Sequence, residues 1–212
     1  MDVHSEPVRV NRQTEEHLAM LPHQLPQDLH IHSTWSTDDS AIVPEQTLAL
    51  ITALGHARIR GISDHFEMIA DCFDDYRAAV LAQGLWVGTE INGHEWVPAA
   101  LEADCDYRIF HCYDRDADYL AIEELLAADR PVIIAHPHAL DTDLKRVPPA
   151  CLVEINNRYI WRCDWTAYYG PFRDRFRFVI SSDAHQPNWL NQTVARYVAN
   201  ALGIQETLLF DD

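Results

Sequence analysis

Pro131-Val132-Ile133-Ile134-Ala135-His136 is a short apolar run that opens on proline and closes on histidine. Five apolar residues are too few for a helix but suit a strand buried on both faces. Proline fits the first position, where no ladder donor is needed. The same arrangement recurs along the chain. Strands are expected at Asp28–His32, Arg60–Ser63, Leu85–Ile91, Tyr107–Cys112, Leu152–Ile155 and Arg177–Ser181. Helical patterns fall between several of them, at Pro44–Leu54, Asp74–Gln83, Asp118–Ala128 and Asn191–Leu202, the first and last followed by Gly55 and Gly203. Alternation of short buried strands with helices argues for an α/β fold with a largely parallel sheet.

The strand ends carry the chemistry. His30 and His32 close the first strand and share one face, because residues i and i+2 of a strand point the same way. Asp28 lies on that face too. Asp64-His65 follows the second strand, Glu90 lies near the end of the third, His111 near the end of the fourth, and His136 after the fifth. Asp183 and His185, again i and i+2, follow the last. A lone histidine after a strand more often caps or packs, and a lone Asp more often stabilises a turn. Those readings lose force when acids and imidazoles gather at the same end of successive strands. In barrels that end bears the site. An open sheet would use one crevice rather than a ring of strand ends. A closed or nearly closed (β/α) barrel with a metal centre is therefore expected. His4, His17, His23 and His56 lack such placement and read as surface residues, while His94 and His138 lie near the centre with either role open.

Length and composition narrow the rest. The chain has 212 residues, 48% hydrophobic and 23% charged, enough for one domain with a sizeable core. Residues 1–27 read as an N-terminal extension with a helical pattern at Thr14–Met20, and 28–212 as one barrel domain. With 33 acids, 16 Lys or Arg and a net charge of −17, a general duplex or membrane-surface binder is disfavoured. Neither a membrane span nor a signal-peptide pattern is evident, so a cytoplasmic protein is expected. Five cysteines without a CxxC pair argue against a disulfide framework and a cysteine-type zinc site. Histidines and carboxylates instead suit hard or borderline divalent cations. Gly-x-Gly-x-x-Gly and Gly-x-x-x-x-Gly-Lys cradles are absent from the sequence.

The successive motifs Asp28-Leu-His30-Ile-His32-Ser33, Gly61-Ile-Ser-Asp64-His65, Gly88-Thr-Glu90-Ile91, Ala135-His136-Pro137 and Ser182-Asp183-Ala-His185 resemble those of the PHP (polymerase and histidinol phosphatase) family, over about Gln27 to Pro187. The resemblance implies a distorted (β/α)7 TIM-like barrel and a hydrolase acting on phosphoesters. It implies two to three divalent ions, manganese, zinc or iron. The implied ligands are His30, His32, His65, Glu90, His111, His136, Asp183 and His185, with Glu90 as the bridging carboxylate. One position departs from the pattern. The family commonly places Asp where this chain has Thr37, so Asp38 is assigned as the ninth ligand, with Asp39 as the alternative.

Three such ions would leave the pocket electropositive despite the acidic chain, which suits a phosphate monoester. A hydroxide bridged between metals would attack phosphorus, with Glu90 and Asp183 in the catalytic centre and no Ser or Cys nucleophile needed. Arg158, after the Glu154-Ile-Asn156-Asn157 segment that resembles a family strand end, is a candidate phosphate clamp or a surface ion-pair partner. His138 is a candidate for phosphate contact or leaving-group protonation. Asp64 is expected to orient His65 or another ligand. Trp35, Trp96, Trp161 and Trp165 flank these segments and suit core packing or ring stacking.

The expected substrate is a small phosphorylated molecule, with a mononucleotide or short oligonucleotide as a second reading (a nucleotide phosphoesterase or 3′–5′ exonuclease). A non-catalytic metal-binding regulatory module is a third reading. An amidohydrolase-type site, which also uses His-x-His but commonly a modified bridging lysine, is disfavoured because the sole lysine, Lys145, sits in a loop-like Asp-Leu-Lys-Arg-Val-Pro-Pro run.

Overall fold

A computed structural model describes residues 24–211. The helix expected at Thr14–Met20, and His4, His17 and His23, lie outside the described residues. Seven strands alternate with helices: β1 (Leu25–Asp28), α1 (Leu48–Leu54), β2 (Ala57–Ile62), α2 (Phe66–Ile69), α3 (Phe73–Ala82), β3 (Trp86–Ile91), α4 (Val97–Leu101), β4 (Tyr107–Phe110), α5 (Asp116–Ala127), β5 (Val132–Ile134), β6 (Leu152–Asn156), α6 (Trp165–Tyr168), β7 (Arg177–Ser181) and α7 (Thr193–Leu202). All six neighbouring pairs are parallel and the strand order is sequential, β1 to β7. The chain thus forms a (β/α)7 barrel. The β5–β6 crossover carries only a tight 3₁₀ turn at Pro137–Leu140 in place of an α-helix.

The ring closes at His30–His32. The first strand was expected at Asp28–His32, but regular pairing with β2 ends at Asp28. Beyond it the backbone divides its hydrogen bonds between two neighbours. Ile31 C=O accepts from Ser63 N–H at 2.9 Å on the β2 side. On the β7 side, His30 C=O accepts from Asp183 N–H at 2.9 Å and His32 N–H donates to Ala184 C=O at 3.0 Å. A parallel bridge pairs Ile31 with Ala184. The two histidines therefore stand at the seam of the barrel.

Helix α1 begins at Leu48, not at Pro44, because Thr47 caps it by accepting from Leu50 N–H at 3.2 Å. Gly55 ends it in the left-handed conformation that glycine tolerates. Two apolar layers result. Phe66, Ile69, Tyr76, Val80, Ile122, Leu125 and Val198 belong to the larger core, to which strand residues such as Val87, Phe110 and Val153 also contribute. Leu29, Ile59, Tyr107, Ile109, Ile133, Leu152 and Val179 form a second cluster that fills the barrel interior. Each fully buried aliphatic side chain contributes roughly 1.5–3 kcal/mol. The Tyr107 ring lies so close to Gly61 and Gly88 that neither position has room for a Cβ, and its hydroxyl donates to Leu29 C=O at 2.6 Å. Among the described residues no helix is long and apolar enough to cross a membrane. All five cysteines are free.

Candidate metal centre

Strand parity carries the interior cluster upward into the site. Ile109 is interior, so His111, two residues on, faces the same way. Leu152 leads to Glu154 and Asn156, and Val179 leads to Ser181, by the same rule. In β3, Gly88 beside Tyr107 leads to Glu90. The lower barrel is therefore apolar, while its carboxyl end is lined with buried carboxylates and imidazoles. His30 and His32 depart from the parity of interior Leu29, beyond the end of regular β1 pairing. His136 also breaks the parity, with φ at 23°, and Asp183 has φ at 53°. Both are non-glycine residues in a costly region of backbone space, and such strain gathers at functional sites.

Glu90 is the hub. Its Oε1 lies 2.9 Å from His30 Nε2, 2.5 Å from His111 Nε2 and 3.4 Å from His136 Nε2. Its Oε2 lies 3.3 Å from His32 Nε2 and 3.1 Å from His65 Nδ1. One carboxylate thus divides five histidines into two sets, one for each oxygen. Asp183 Oδ1 lies 3.3 Å from His185 Nδ1 and 3.7 Å from His32 Nε2. The ligand atoms converge in three groups: His32 with His65 and His185, His30 with His32 and Asp183, and Glu90 with His111 and His136.

Of the two candidates for the ninth ligand, only Asp39 faces the cluster. Asp38, the sequence assignment, is exposed. Asp39 instead reaches the cluster, with Oδ2 at 2.9 Å from His185 Nε2 and 3.3 Å from His65 Nε2. Asp39 N–H donates to Ser36 C=O, and its side chain accepts from Ala41 N–H at 2.7 Å, so the turn aims this carboxylate inward.

Glu154 is the residue that the motif reading left out of the ligand shell. It is fully buried, and it accepts from His30 Nδ1–H at 2.7 Å and from His136 N–H at 2.6 Å. Asn156 donates to Glu154 at 3.0 Å and to Asp183 at 3.2 Å. Parity from Leu152 was the signal available for it. Asp64, expected to orient His65 or another ligand, accepts from Ser33 N–H, Ser33 Oγ and Ser36 Oγ. It fixes the loop that carries Asp39. Burial pushes the Asp64 carboxyl up to about 6, against those three hydrogen bonds.

Other assignments move as well. His138, the candidate for phosphate contact or leaving-group protonation, stands edge-on to Tyr168 at 5.4 Å and belongs to none of the convergent ligand groups. His94 pairs with Asp118 at 2.9 Å, outside the cluster. His56, expected at the surface, is largely buried and pairs with Asp28 at 2.9 Å. Arg158 does reach the centre. Its Nη1 lies 3.1 Å from His185 and 3.4 Å from Asp183 Oδ1.

Burial and the crowding of acids and imidazoles set the electrostatics of the centre. Burial disfavours charge on His30, but Glu154, Glu90 and Asp183 outweigh it and raise its pKa. Burial together with His185 and His65 lowers that of His32. Burial opposes the Glu90 anion, yet His111, His30, His65 and His32 hold its pKa well below the carboxylate range.

The donor set fits divalent ions. His30 Nε2 lies 3.1 Å from His32 Nε2, and His111 Nε2 lies 3.1 Å from His136 Nε2. With Nδ1 of His30 donating to Glu154, its Nε2 lone pair points into the cluster. His65 Nδ1 is buried beside Glu90 without a well-formed hydrogen bond. Crowded imidazole lone pairs on shared carboxylates are what a divalent cation satisfies. His30, His32, Asp39, His65, Glu90, His111, His136, Asp183 and His185 could hold such ions.

No family model matches the chain, and no curated protein matches it. A similar solved structure is a truncated form of 3-deoxy-D-arabino-heptulosonate 7-phosphate synthase from Thermotoga maritima, 14% identical, covering 85% of this chain and 74% of that one, with a TM-score of 0.46.

Proposed function

We propose that the chain is a PHP-type, metal-dependent phosphoesterase that hydrolyses a small-molecule phosphate. The observation that carries this reading is the Glu90 carboxylate, which presents one oxygen to His30, His111 and His136 and the other to His32 and His65. A carboxylate so placed could be shared between neighbouring cations. Bound divalent ions, manganese, zinc or iron, would supply Lewis acidity toward a phosphoryl group and a nucleophile at neutral pH. The chain's own residues do the rest. Glu154 and Asn156 hold the orientation of His30, His136 and Asp183. Arg158 places a guanidinium edge beside Asp183 and His185, where it would bind a phosphate oxygen as a planar fork. The buried apolar floor around Tyr107 keeps water out from below.

The test is a panel of aliphatic and aromatic monophosphates, mononucleotides and short oligonucleotides, assayed with Mn²⁺, Zn²⁺ or Fe²⁺. Turnover of monophosphates is expected, with loss of about 10²-fold or more in Glu90→Ala and His136→Ala. Turnover confined to oligonucleotides would favour the exonuclease reading. Stoichiometric metal without any turnover would replace the proposal by a metal-binding module.

A further inference from the structure

Beside the centre lies a cleft of about 400 Å³, lined by Asn157, Arg158, Trp161, Arg162, Ser182, Trp189 and Asn191. That volume suits a small ligand. Arg158 belongs to both places, since it lines the cleft and its Nη1 contacts His185 and Asp183. Trp189 does too: its ring lies 6.1 Å from that of His185. The cleft is thus continuous with the candidate metal centre.

Its lining combines two indoles with two guanidinium groups. The chain carries 33 acids, yet no carboxylate lines the cleft. Most other arginines are engaged, and Arg60, Arg108, Arg175 and Arg177 donate to backbone carbonyls. Arg77, Arg115, Arg130, Arg146, Arg173 and Arg196 all pair with Asp or Glu. Among the described residues no carboxylate pairs with Arg162. Its guanidinium lies 4.7 Å from the Trp161 ring and 5.5 Å from the Tyr159 ring. Arg158 in turn lies 5.2 Å from the Trp189 ring.

Trp161 is 64% exposed, although an indole gains more than most side chains from burial. Its position is set nonetheless, because Nε1–H donates to Arg158 C=O at 2.8 Å. Two indoles and two guanidinium groups therefore face one space. Indole faces stack flat rings, and guanidinium groups pair with anions.

We propose that this cleft is the subsite for the part of the substrate beyond the scissile phosphate, and that this part is a flat aromatic ring carrying a negative charge. It rests on the phosphoesterase reading only in treating the neighbouring centre as the place of cleavage.

The test uses naphthalene-2-sulfonate, a flat anion that ligates metals weakly and has no phosphoester. Calorimetric titration of the full chain should show saturable binding. Cyclohexanesulfonate, which keeps the charge, and naphthalene-2-methanol, which keeps the ring, should each bind about tenfold more weakly or worse. Arg162→Ala and Trp161→Ala should weaken the sulfonate by roughly fivefold or more. Both side chains are exposed, so neither change threatens the fold. Tyr197→Ala, on the exposed face of α7, should leave binding unaltered. Equal binding of all three probes, or an unchanged affinity in both variants, would overturn the subsite. Because the probe cannot be hydrolysed, its selective binding stands even if no phosphate is turned over. Conversely, turnover of aliphatic phosphates with no selective binding removes the subsite and keeps the phosphoesterase.

Discussion

Glu154 accepts a hydrogen bond from His30 Nδ1–H at 2.7 Å, which decides that the other nitrogen of His30 faces Glu90. A buried carboxylate behind a ligating imidazole fixes its tautomer and raises its basicity. Glu154 also receives the N–H of His136, whose backbone is strained. Burial resists the Glu154 anion, but His30 and His136 hold its pKa down at about 2. Glu154→Gln places an amide donor against two donors. Metal affinity should fall by about 10- to 100-fold, the range for loss of such a partner. Competition with a metal chelator measures it, and an unchanged affinity would show that His30 needs no such support.

Six of the strands were legible because burial on both faces leaves little room for polar residues, whereas β1, the Leu25-Pro-Gln-Asp28 stretch, carries no apolar run and was expected at Asp28–His32. Their ends were legible because His and Asp beyond an apolar run are unusual. Glu154 was less visible, lying between Val153 and Ile155 inside the run. It reads as a strand-interior acid unless the parity of Leu152 is followed upward. Asp39 and Asp38 could not be told apart in sequence, since only the turn after Ser36 decides which carboxylate points inward. The seam at His30–His32 was also hidden. It depends on bonds shared between β2 and β7, two elements distant along the chain.

The Asp39 assignment yields a paired test. Asp39→Asn removes the carboxylate that reaches His65 and His185, while Asp38→Asn alters an exposed side chain. Elemental analysis after gentle purification should find metal depleted in Asp39→Asn and unchanged in Asp38→Asn. The reverse pattern would restore Asp38 as the ligand.

Gly88 tests the barrel floor. A methyl group there meets the Tyr107 ring, which is fully buried and tied to Leu29 C=O. The ring cannot swing away without losing that bond and the packing of Ile59 and Ile109. Gly88→Ala should destabilise the fold by about 1–3 kcal/mol through overpacking. Urea denaturation checks it. In the double variant Gly88→Ala with Tyr107→Phe, part of that loss should return, because the phenol oxygen is one of the colliding atoms.

Asp118 ties the loops after β3 and β4 together. It accepts from Tyr113 N–H at 2.9 Å, from His94 Nδ1–H at 2.9 Å and from the Arg115 guanidinium at 2.9 and 3.0 Å. Burial disfavours its charge, but the Arg115 and His94 hydrogen bonds outweigh that and lower its pKa. A carboxylate whose folded pKa lies below its unfolded value stabilises the fold above the unfolded value. That contribution is lost as pH falls through the folded value. Asp118→Asn should therefore cost roughly 1–3 kcal/mol near neutral pH. The gap to the unsubstituted chain should narrow as pH falls below about 4. Urea unfolding at successive pH values reads both quantities. A gap independent of pH would mean that hydrogen-bond geometry, rather than the charge of Asp118, holds the two loops.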